Sequence, residues 1–161
     1  MIVLVMGVAG SGKTTIGLLL AETLGWPYEE GDDLHPPANR EKMAAGIPLA
    51  DEDRLPWLQE IRARIEHHLA AGEDAVISCS ALKASYREVL AGGLDGVRFV
   101  HLTGSPELIR ERLAHRTGHY MKAGMLDSQL AALEPPAGAV EVDVASPPEE
   151  IVAEIRRRLG V

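Results

Sequence analysis

The eight residues from Gly7 to Thr14 read GVAGSGKT, which is the spacing G-x-x-x-x-G-K-[ST] of a phosphate-binding loop. Glycines let such a loop turn its backbone N–H groups toward phosphate oxygens, and the following helix adds a partial positive charge at its N-terminus. In this chemistry the ammonium group of Lys13 reaches the β- and γ-phosphates, and the Thr14 hydroxyl is a ligand of Mg²⁺. We therefore expect the chain to bind a nucleoside triphosphate here, rather than to form an empty glycine turn. The expected nucleotide contacts are Gly7, Ala9, Gly10, Ser11, Gly12, Lys13, Thr14 and Thr15.

An acidic stretch after the second predicted strand contains Asp32. Phosphoryl transfer to a hydroxyl depends on a carboxylate that orients the attacking oxygen and accepts its proton, and Asp32 is the candidate for that role. Glu30, two residues earlier, is a candidate for holding a water bound to Mg²⁺. The alternative interpretation is that Glu30, Asp32 and Asp33 form a solvated acidic turn without a role in chemistry.

Basic residues form two groups near the same loops. A guanidinium group binds the carboxylate of a small anionic substrate through two parallel hydrogen bonds. The first group, which we expect to bind such a substrate, consists of His35, Arg40, Arg54, Lys83 and Arg87. Arginines on a mobile lid often contact the γ-phosphate, and a second group enters and crosses an irregular segment. This second group consists of Arg110, Arg112, Arg116, His119 and Lys122. For both groups the alternative is a solvated helix face, the usual position of Arg and Lys.

Strand and helix patterns alternate along the whole chain, and these elements must position the residues above. Apolar runs predict strands at 2–6, 26–29, 75–79, 97–102 and 140–144. Apolar residues at helical spacing predict helices at 15–24, 38–46, 53–71, 83–90 and 105–116, then one from 125 and one from 146. Asp51 or Asp53 is expected to cap the third helix, Ser105 the fifth, and Ser146 with Glu149 to form a capping box at the last.

This alternation predicts an α/β domain with a five-stranded, mostly parallel sheet between layers of helices. In such sheets ligands bind at the carboxyl ends of the strands. The phosphate-binding loop and the loops 30–35 and 78–83 all follow predicted strands. We therefore expect three polar loops to converge on one edge of the sheet.

Composition argues against several other classes of protein. The chain has 161 residues, which suits a single domain with its own core. Its formal net charge of −8 argues against a nucleic-acid partner, and no apolar stretch approaches the roughly 20 residues that span a membrane. Cys79 is the sole cysteine, so we expect neither an internal disulfide nor a cysteine-rich metal site. The start of the chain has no signal-peptide pattern, so we expect a cytoplasmic protein.

Taken together, these residues resemble the gluconate kinase (gluconokinase) family, within the shikimate- and adenylate-kinase-like group of P-loop small-molecule kinases. The resemblance covers nearly the whole chain, and the blocks GDDLHP at 31–36 and CSALK at 79–83 are its most discriminating parts. Its other motifs are at 6–14, 39–43, 48–49, 51–58, 86–87, 118–121, 128–130 and 133–134, with Arg112 and Arg116.

The resemblance implies a three-layer α/β/α P-loop kinase fold in a single domain, 1–161, with a mobile substrate-binding region at 36–72 and a lid at 117–134. It implies transfer of the γ-phosphoryl group of ATP to the 6-hydroxyl of D-gluconate, with Mg²⁺ as cofactor, and family members are often dimers.

The same resemblance implies a role for each matching residue. Lys13 and Asp32 serve the transfer, with Asp32 on the acceptor hydroxyl. Arg116 closes on the transferred group, and Arg112 lies near the adenine or the phosphates. The sugar-acid contacts would be Asp32, His35, Arg40, Arg54, Lys83, Arg87 and Gln129.

The chain departs from the family pattern at three places. Lys122-Ala123 stands where many relatives have proline, Glu30 stands where related kinases often have Asp, and Ser78 and Ser80 stand where an acidic residue often ends the third strand. Two other functions stay open. One is a kinase for a different small acid or nucleotide. The other is a nucleotide-binding switch without transfer activity, although the chain has neither an N-K-x-D motif nor a D-x-x-G motif after the third strand.

Overall fold

A parallel β-sheet forms the centre of the computed structural model, which describes residues 1–115 and 123–161. In these residues the strands are β1 (Ile2–Met6), β2 (Tyr28–Glu30), β3 (Ala75–Ser78), β4 (Val97–Thr103) and β5 (Val140–Asp143). Their order across the sheet is β2-β3-β1-β4-β5, and every pairing is parallel. The prediction of an α/β fold with a five-stranded sheet is confirmed.

Helices connect the strands and cover both faces of the sheet. The α-helices of the described residues are α1 (Lys13–Leu24), α2 (Pro37–Ala44), α3 (Asp51–Ala70), α4 (Ala84–Ala91), α5 (Pro106–Ala114), α6 (Ala123–Ala132) and α7 (Pro148–Leu159). Where an end was predicted, it lies within two residues of the observed one. Between β2 and α2, where we expected an irregular loop, the chain forms one 3₁₀ turn, Gly31–Leu34. The expected lid is described only from Ala123 onward, because 117–122 lie outside the described residues.

β1 is the middle strand and is buried on both faces. Because side chains alternate along a strand, Ile2, Leu4 and Met6 pack into the cluster formed with α3 and α4. Val3 and Val5 pack on the opposite face into the cluster formed with α1 and α7. The loop that follows β1 is therefore anchored on a strand that is enclosed by two layers of helices.

The predicted caps of α3 and α7 are wrong. α3 begins directly after Ala50, so Asp51 and Asp53 both lie inside the helix. Asp53 nevertheless stabilises the first turn, because its Oδ2 accepts a hydrogen bond from the Ala50 N–H at 2.9 Å. α7 begins at Pro148, one residue too late for Ser146 to be its N-cap, and no side chain of the described residues caps it.

The predicted cap of α5 is confirmed. Ser105 precedes the helix and its Oγ accepts a hydrogen bond from the Leu108 N–H at 3.2 Å. Pro106 occupies the first helical position, where its missing N–H is not needed. Within the described residues, no helix combines the length and the apolar character required to span a membrane.

Candidate active site

A cavity of about 690 Å³ opens at the carboxyl edge of the sheet. It is lined by the loop between β1 and α1 and by the first turn of α1, which contains Lys13 and Thr14. The 3₁₀ turn after β2 contributes Asp32, and the first turns of α3 contribute Arg54. Helices α5 and α6 contribute Arg112 and Gln129 from the other side. The structure therefore brings members of each predicted group, the phosphate-binding loop, the acceptor residues and the lid, to one cavity.

The backbone of the loop has the form that a phosphate-binding loop needs. Gly7, Gly10 and Gly12 have φ angles of 152°, 79° and 94°, which turn successive N–H groups toward the same space. Ser11 is fully buried, and its Oγ has no hydrogen-bond partner in the described part of the chain. A buried hydroxyl without a partner is unfavourable, so an anion that accepts its hydrogen bond fits this loop. Lys13 Nζ donates to the Val8 carbonyl at 3.1 Å, which holds it across the loop.

The hydroxyl of Thr14, the expected metal ligand, donates a hydrogen bond to Glu30 Oε2 at 2.6 Å. Its oxygen keeps lone pairs for a cation, so this residue fits the expected role. Among the residues that the structure describes, no group of three or more His, Cys, Asp or Glu side chains could hold a metal alone. Mg²⁺ bound here would thus need phosphate or water oxygens in addition to the protein.

Trp57, at the start of α3, holds the turn that carries Asp32. Its indole Nε1 donates to the Gly31 carbonyl at 2.7 Å, and its ring stacks on His35 with centroids 4.0 Å apart. Only 2% of Trp57 is exposed, so this contact is shielded from water. The hydrogen bond from Trp57 to Gly31 joins residues 26 positions apart, so local spacing in the sequence does not predict it.

His35 is buried in the cavity wall and is neutral at physiological pH. Burial, followed by the positive charges of Arg40 and Arg54, lowers the pKa of His35 to about 4. Asn39 Nδ2 donates to the Asp53 carbonyl at 2.8 Å, which identifies this amide atom as the nitrogen. The same nitrogen lies 3.2 Å from His35 Nδ1, so Nδ1 accepts and the ring hydrogen is on Nε2. His35 can therefore donate a hydrogen bond to a substrate hydroxyl but supplies no charge.

Two of the predicted acceptor cations, Arg54 and Lys83, lie against the side chain of Tyr86. Arg54 lines the cavity and donates to the Leu49 carbonyl at 2.8 Å and to the Tyr86 hydroxyl at 3.1 Å. Lys83 Nζ forms an ion pair with Asp51 Oδ1 at 3.0 Å, and the Tyr86 hydroxyl donates to the same oxygen. The bonds from Tyr86 and then Lys83 hold the pKa of Asp51 below its usual value. Sequence reasoning did not identify Asp51 and Tyr86 as partners of these cations.

Arg40 and Arg87 brace loops in this structure. Arg40 donates through Nη2 to the Asp33 carbonyl at 2.7 Å and so supports the turn that carries Asp32. Arg87 donates to three backbone carbonyls of the β3–α4 loop and the chain after α6. These carbonyls are those of Ala81, Leu82 and Glu134. Within the described residues, Arg40, Lys83 and Arg87 are not part of the cavity wall.

The opposite end of the cavity contains two further predicted residues, Arg112 and Gln129. Arg112 Nη2 donates to the Val144 carbonyl at 2.7 Å, which connects α5 to the end of β5. Gln129 Oε1 accepts a hydrogen bond from the Ala9 N–H at 2.7 Å, so α6 lies over the phosphate-binding loop. Arg116, expected to close on the transferred group, lies outside the described residues.

Known proteins resemble this chain over almost its full length. The family model described as Shikimate kinase matches residues 9–159. A gluconokinase of Gluconobacter oxydans (strain 621H) is 47% identical over 156 residues, which cover 95% of this chain and 88% of that protein. A crystal structure of a gluconokinase from Sinorhizobium meliloti 1021 is 50% identical with a TM-score of 0.86, over 98% of this chain and 90% of that one. A crystal structure of an unliganded sugar kinase from Janibacter sp. HTCC2649 is 42% identical with a TM-score of 0.91. The match covers 99% of this chain and 94% of that one.

Proposed function

Because the chain is an ATP-dependent kinase of the gluconokinase family, we propose that it transfers the γ-phosphoryl group of ATP to the 6-hydroxyl of D-gluconate. The products are 6-phospho-D-gluconate and ADP. The observation that supports this most is that Lys13, Asp32 and Arg54 line one cavity. A phosphate-binding cation, a carboxylate and a guanidinium group for a sugar acid therefore face the same space.

In the proposed complex the triphosphate lies along the loop from Gly7 to Thr15, with Lys13 on its β- and γ-phosphates. Arg112 contacts the nucleotide from α5. Mg²⁺ would be held by the Thr14 hydroxyl together with phosphate and water oxygens, and when bound it neutralises charge on the phosphates. Arg116 closes on the transferred group.

At the acceptor end, Asp32 accepts a hydrogen bond from the 6-hydroxyl, orients its oxygen toward the γ-phosphorus and takes up its proton. Neutral His35 donates from Nε2 to another hydroxyl of the sugar acid. Arg54 binds the carboxylate of gluconate. We assign the remaining acceptor contacts to Arg40, Lys83, Arg87 and Gln129, which requires Arg40, Lys83 and Arg87 to turn toward the cavity when the acceptor binds.

The proposal also covers the domain organisation of the enzyme, its oligomeric state and its location. We propose a single kinase domain, 1–161, in which 36–72 form the mobile acceptor-binding region and 117–134 the lid. We also propose that the enzyme works as a homodimer in the cytoplasm, without a nucleic-acid or membrane partner. Light scattering of the purified protein tests the dimer, since a monomeric mass contradicts it.

An acceptor panel tests the reaction. Purified protein with Mg-ATP is assayed for ADP release on gluconate, on other sugar acids, on shikimate and on nucleoside monophosphates, and the product is identified by NMR. We expect turnover with gluconate and phosphate on its 6-oxygen. Turnover of another acceptor with none on gluconate would refute the substrate. Nucleotide binding with no turnover of any acceptor would favour a switch.

Variants test the assigned roles. Lys13→Ala should abolish turnover, and Asp32→Asn should lower kcat by about 100-fold or more while the affinity for ATP is unchanged. Asp33→Asn is the matched control, because Asp33 is the exposed neighbour in the same turn and does not line the cavity. Equal losses in the two variants would show that Asp32 acts only through the structure of the turn.

A further inference from the structure

The phenol of Tyr28, at the start of β2, lies between two polar side chains beneath α1. Its hydroxyl donates to Glu30 Oε2 at 2.6 Å and lies 2.7 Å from Ser78 Oγ. Glu30 Oε2 is the same oxygen that accepts the hydrogen bond from the Thr14 hydroxyl. The chain of contacts therefore runs from the end of β3 to the expected metal ligand.

The direction of each hydrogen bond in this chain follows from the groups involved. A carboxylate has no hydrogen to give, so both Thr14 and Tyr28 donate to Glu30. A tyrosine phenol keeps its hydrogen at neutral pH, so the Tyr28 hydroxyl has one hydrogen, which it gives to Glu30. Ser78 has one hydrogen, and its hydroxyl faces the Tyr28 oxygen and, at 3.2 Å, the Lys13 carbonyl. Each of these two oxygens can accept that hydrogen, whereas the hydrogens of Thr14 and Tyr28 both point to Glu30 Oε2. The lone pairs of the Thr14 oxygen therefore stay available.

The fold places this group by the register of two strands. Tyr28 and Glu30 are two residues apart on β2 and share a face, and Glu30 pairs with Ser78 across the sheet. Gly17 of α1 leaves room for the ring, because a Cβ there would come within 2.6 Å of Tyr28 Cε1. The same Cβ would come within 2.8 Å of Ser78 Oγ. A larger residue at position 17 would therefore displace the side chains of Tyr28 and Ser78.

Glu30 needs an additional partner because of its length. Its side chain has one more rotatable bond than Asp, so a single hydrogen bond from Thr14 leaves its carboxylate with more freedom. At the end of β3, where an acidic residue often supports the metal ligand, this chain has Ser78 instead. The carboxylate thus comes from β2, and the residues around it must hold it in place.

We propose that Tyr28 is a positioning residue that fixes the carboxylate of Glu30 and thereby turns the lone pairs of Thr14 toward Mg²⁺. The inference rests on the use of Mg-ATP in the proposed function and is independent of the acceptor. Partners of metal-ligating residues of this kind typically change metal affinity by about 10- to 100-fold when they are removed.

Calorimetric titration of a non-hydrolysable ATP analogue tests this role without any turnover. The dissociation constant is measured with Mg²⁺ and with EDTA for the wild type and for Tyr28→Phe, which keeps the ring and removes the hydroxyl. We expect the variant to bind the Mg²⁺ complex about tenfold more weakly and the metal-free analogue within about twofold of the wild type. The preference for the Mg²⁺ complex is expressed as the dissociation constant measured with EDTA divided by the one measured with Mg²⁺. Tyr86→Phe, the same change at the acceptor end, should leave this ratio unchanged.

A second variant shows whether Tyr28 acts through Glu30. Glu30→Gln should lower the same ratio, and adding Tyr28→Phe to it should produce no further loss. The proposal is overturned if Tyr28→Phe leaves the ratio at the wild-type value, if both constants weaken equally, or if the two changes are additive. A protein that fails to phosphorylate gluconate but shows the expected loss would refute the acceptor and support the role of Tyr28.

Discussion

The buried, neutral state of His35 makes the stability of this protein depend on pH in a way that can be calculated. The pKa of the ring is about 4 in the folded protein, against an ordinary value of 6.5. Between these values the unfolded chain binds a proton that the folded protein does not bind. Stability is therefore complete above about pH 6.5 and is lost as the pH falls toward 4.

The size of the effect follows from the two values. At pH 4.5 the unfolded ring is almost fully protonated, whereas the folded ring is mostly neutral. With 1.36 kcal/mol for each pKa unit, His35 should account for about 2 kcal/mol of the unfolding free energy lost between pH 7 and pH 4.5. This is a sizeable fraction of the roughly 5–15 kcal/mol that stabilises a typical domain.

Urea unfolding at the two pH values measures this loss. The variant His35→Gln has no charge to gain, so its stability should fall by about 2 kcal/mol less than that of the wild type over the same interval. His67→Gln, an exposed histidine on α3, is the matched control. If His35→Gln loses as much stability as the wild type, the ring is not held neutral by the fold and the assignment of its hydrogen to Nε2 also fails.

Three further variants and one thiol reagent test other contacts. Trp57→Phe keeps an aromatic ring on His35 but leaves the Gly31 carbonyl without its donor. We expect the unfolding free energy to fall by about 1–3 kcal/mol and kcat on gluconate to fall, while the affinity for ATP is retained. A loss of ATP affinity would contradict this. Arg54→Met should raise the KM for gluconate by about tenfold or more with little change in melting temperature. Arg87→Met should lower the melting temperature by several degrees. The opposite pattern would mean that Arg87 binds the acceptor and Arg54 supports the fold. Burial raises the pKa of the Cys79 thiol to about 12, so a thiol reagent should modify Cys79 only after unfolding, and rapid labelling of the native protein would show that the site opens.

Local patterns in the sequence were sufficient for the elements and for the loop at the centre of the site. The phosphate-binding loop is a run of consecutive residues, so its spacing alone determines which backbone N–H groups converge. Strand and helix patterns likewise depend on neighbours a few residues apart, which is why β1 and β4 begin where we predicted. Caps were less reliable. Asp53 acts from within the first turn of α3, since its side chain can reach back to Ala50 from that position.

Contacts between distant residues depended on how the elements cross. Asp32 was identified from its residue type, but the support it receives from Trp57 exists only because α3 packs over the turn after β2. The basic group shows the same limit. All five members were grouped for an anionic substrate, yet only the fold decides that His35 and Arg54 face the cavity while Arg40 and Arg87 hydrogen-bond to backbone carbonyls. It also makes His35 neutral, which residue type alone does not show.

The sequence by itself determined the α/β architecture and the position of the phosphate-binding loop, because each is encoded by residues close together in the chain. The tertiary structure alone decided which partners these residues have. The contacts of Gln129 with Ala9 and of Tyr28 with Ser78 join residues 120 and 50 positions apart. Side-chain spacing carries no information at such separations, because these distances are set by the packing of helices on the sheet.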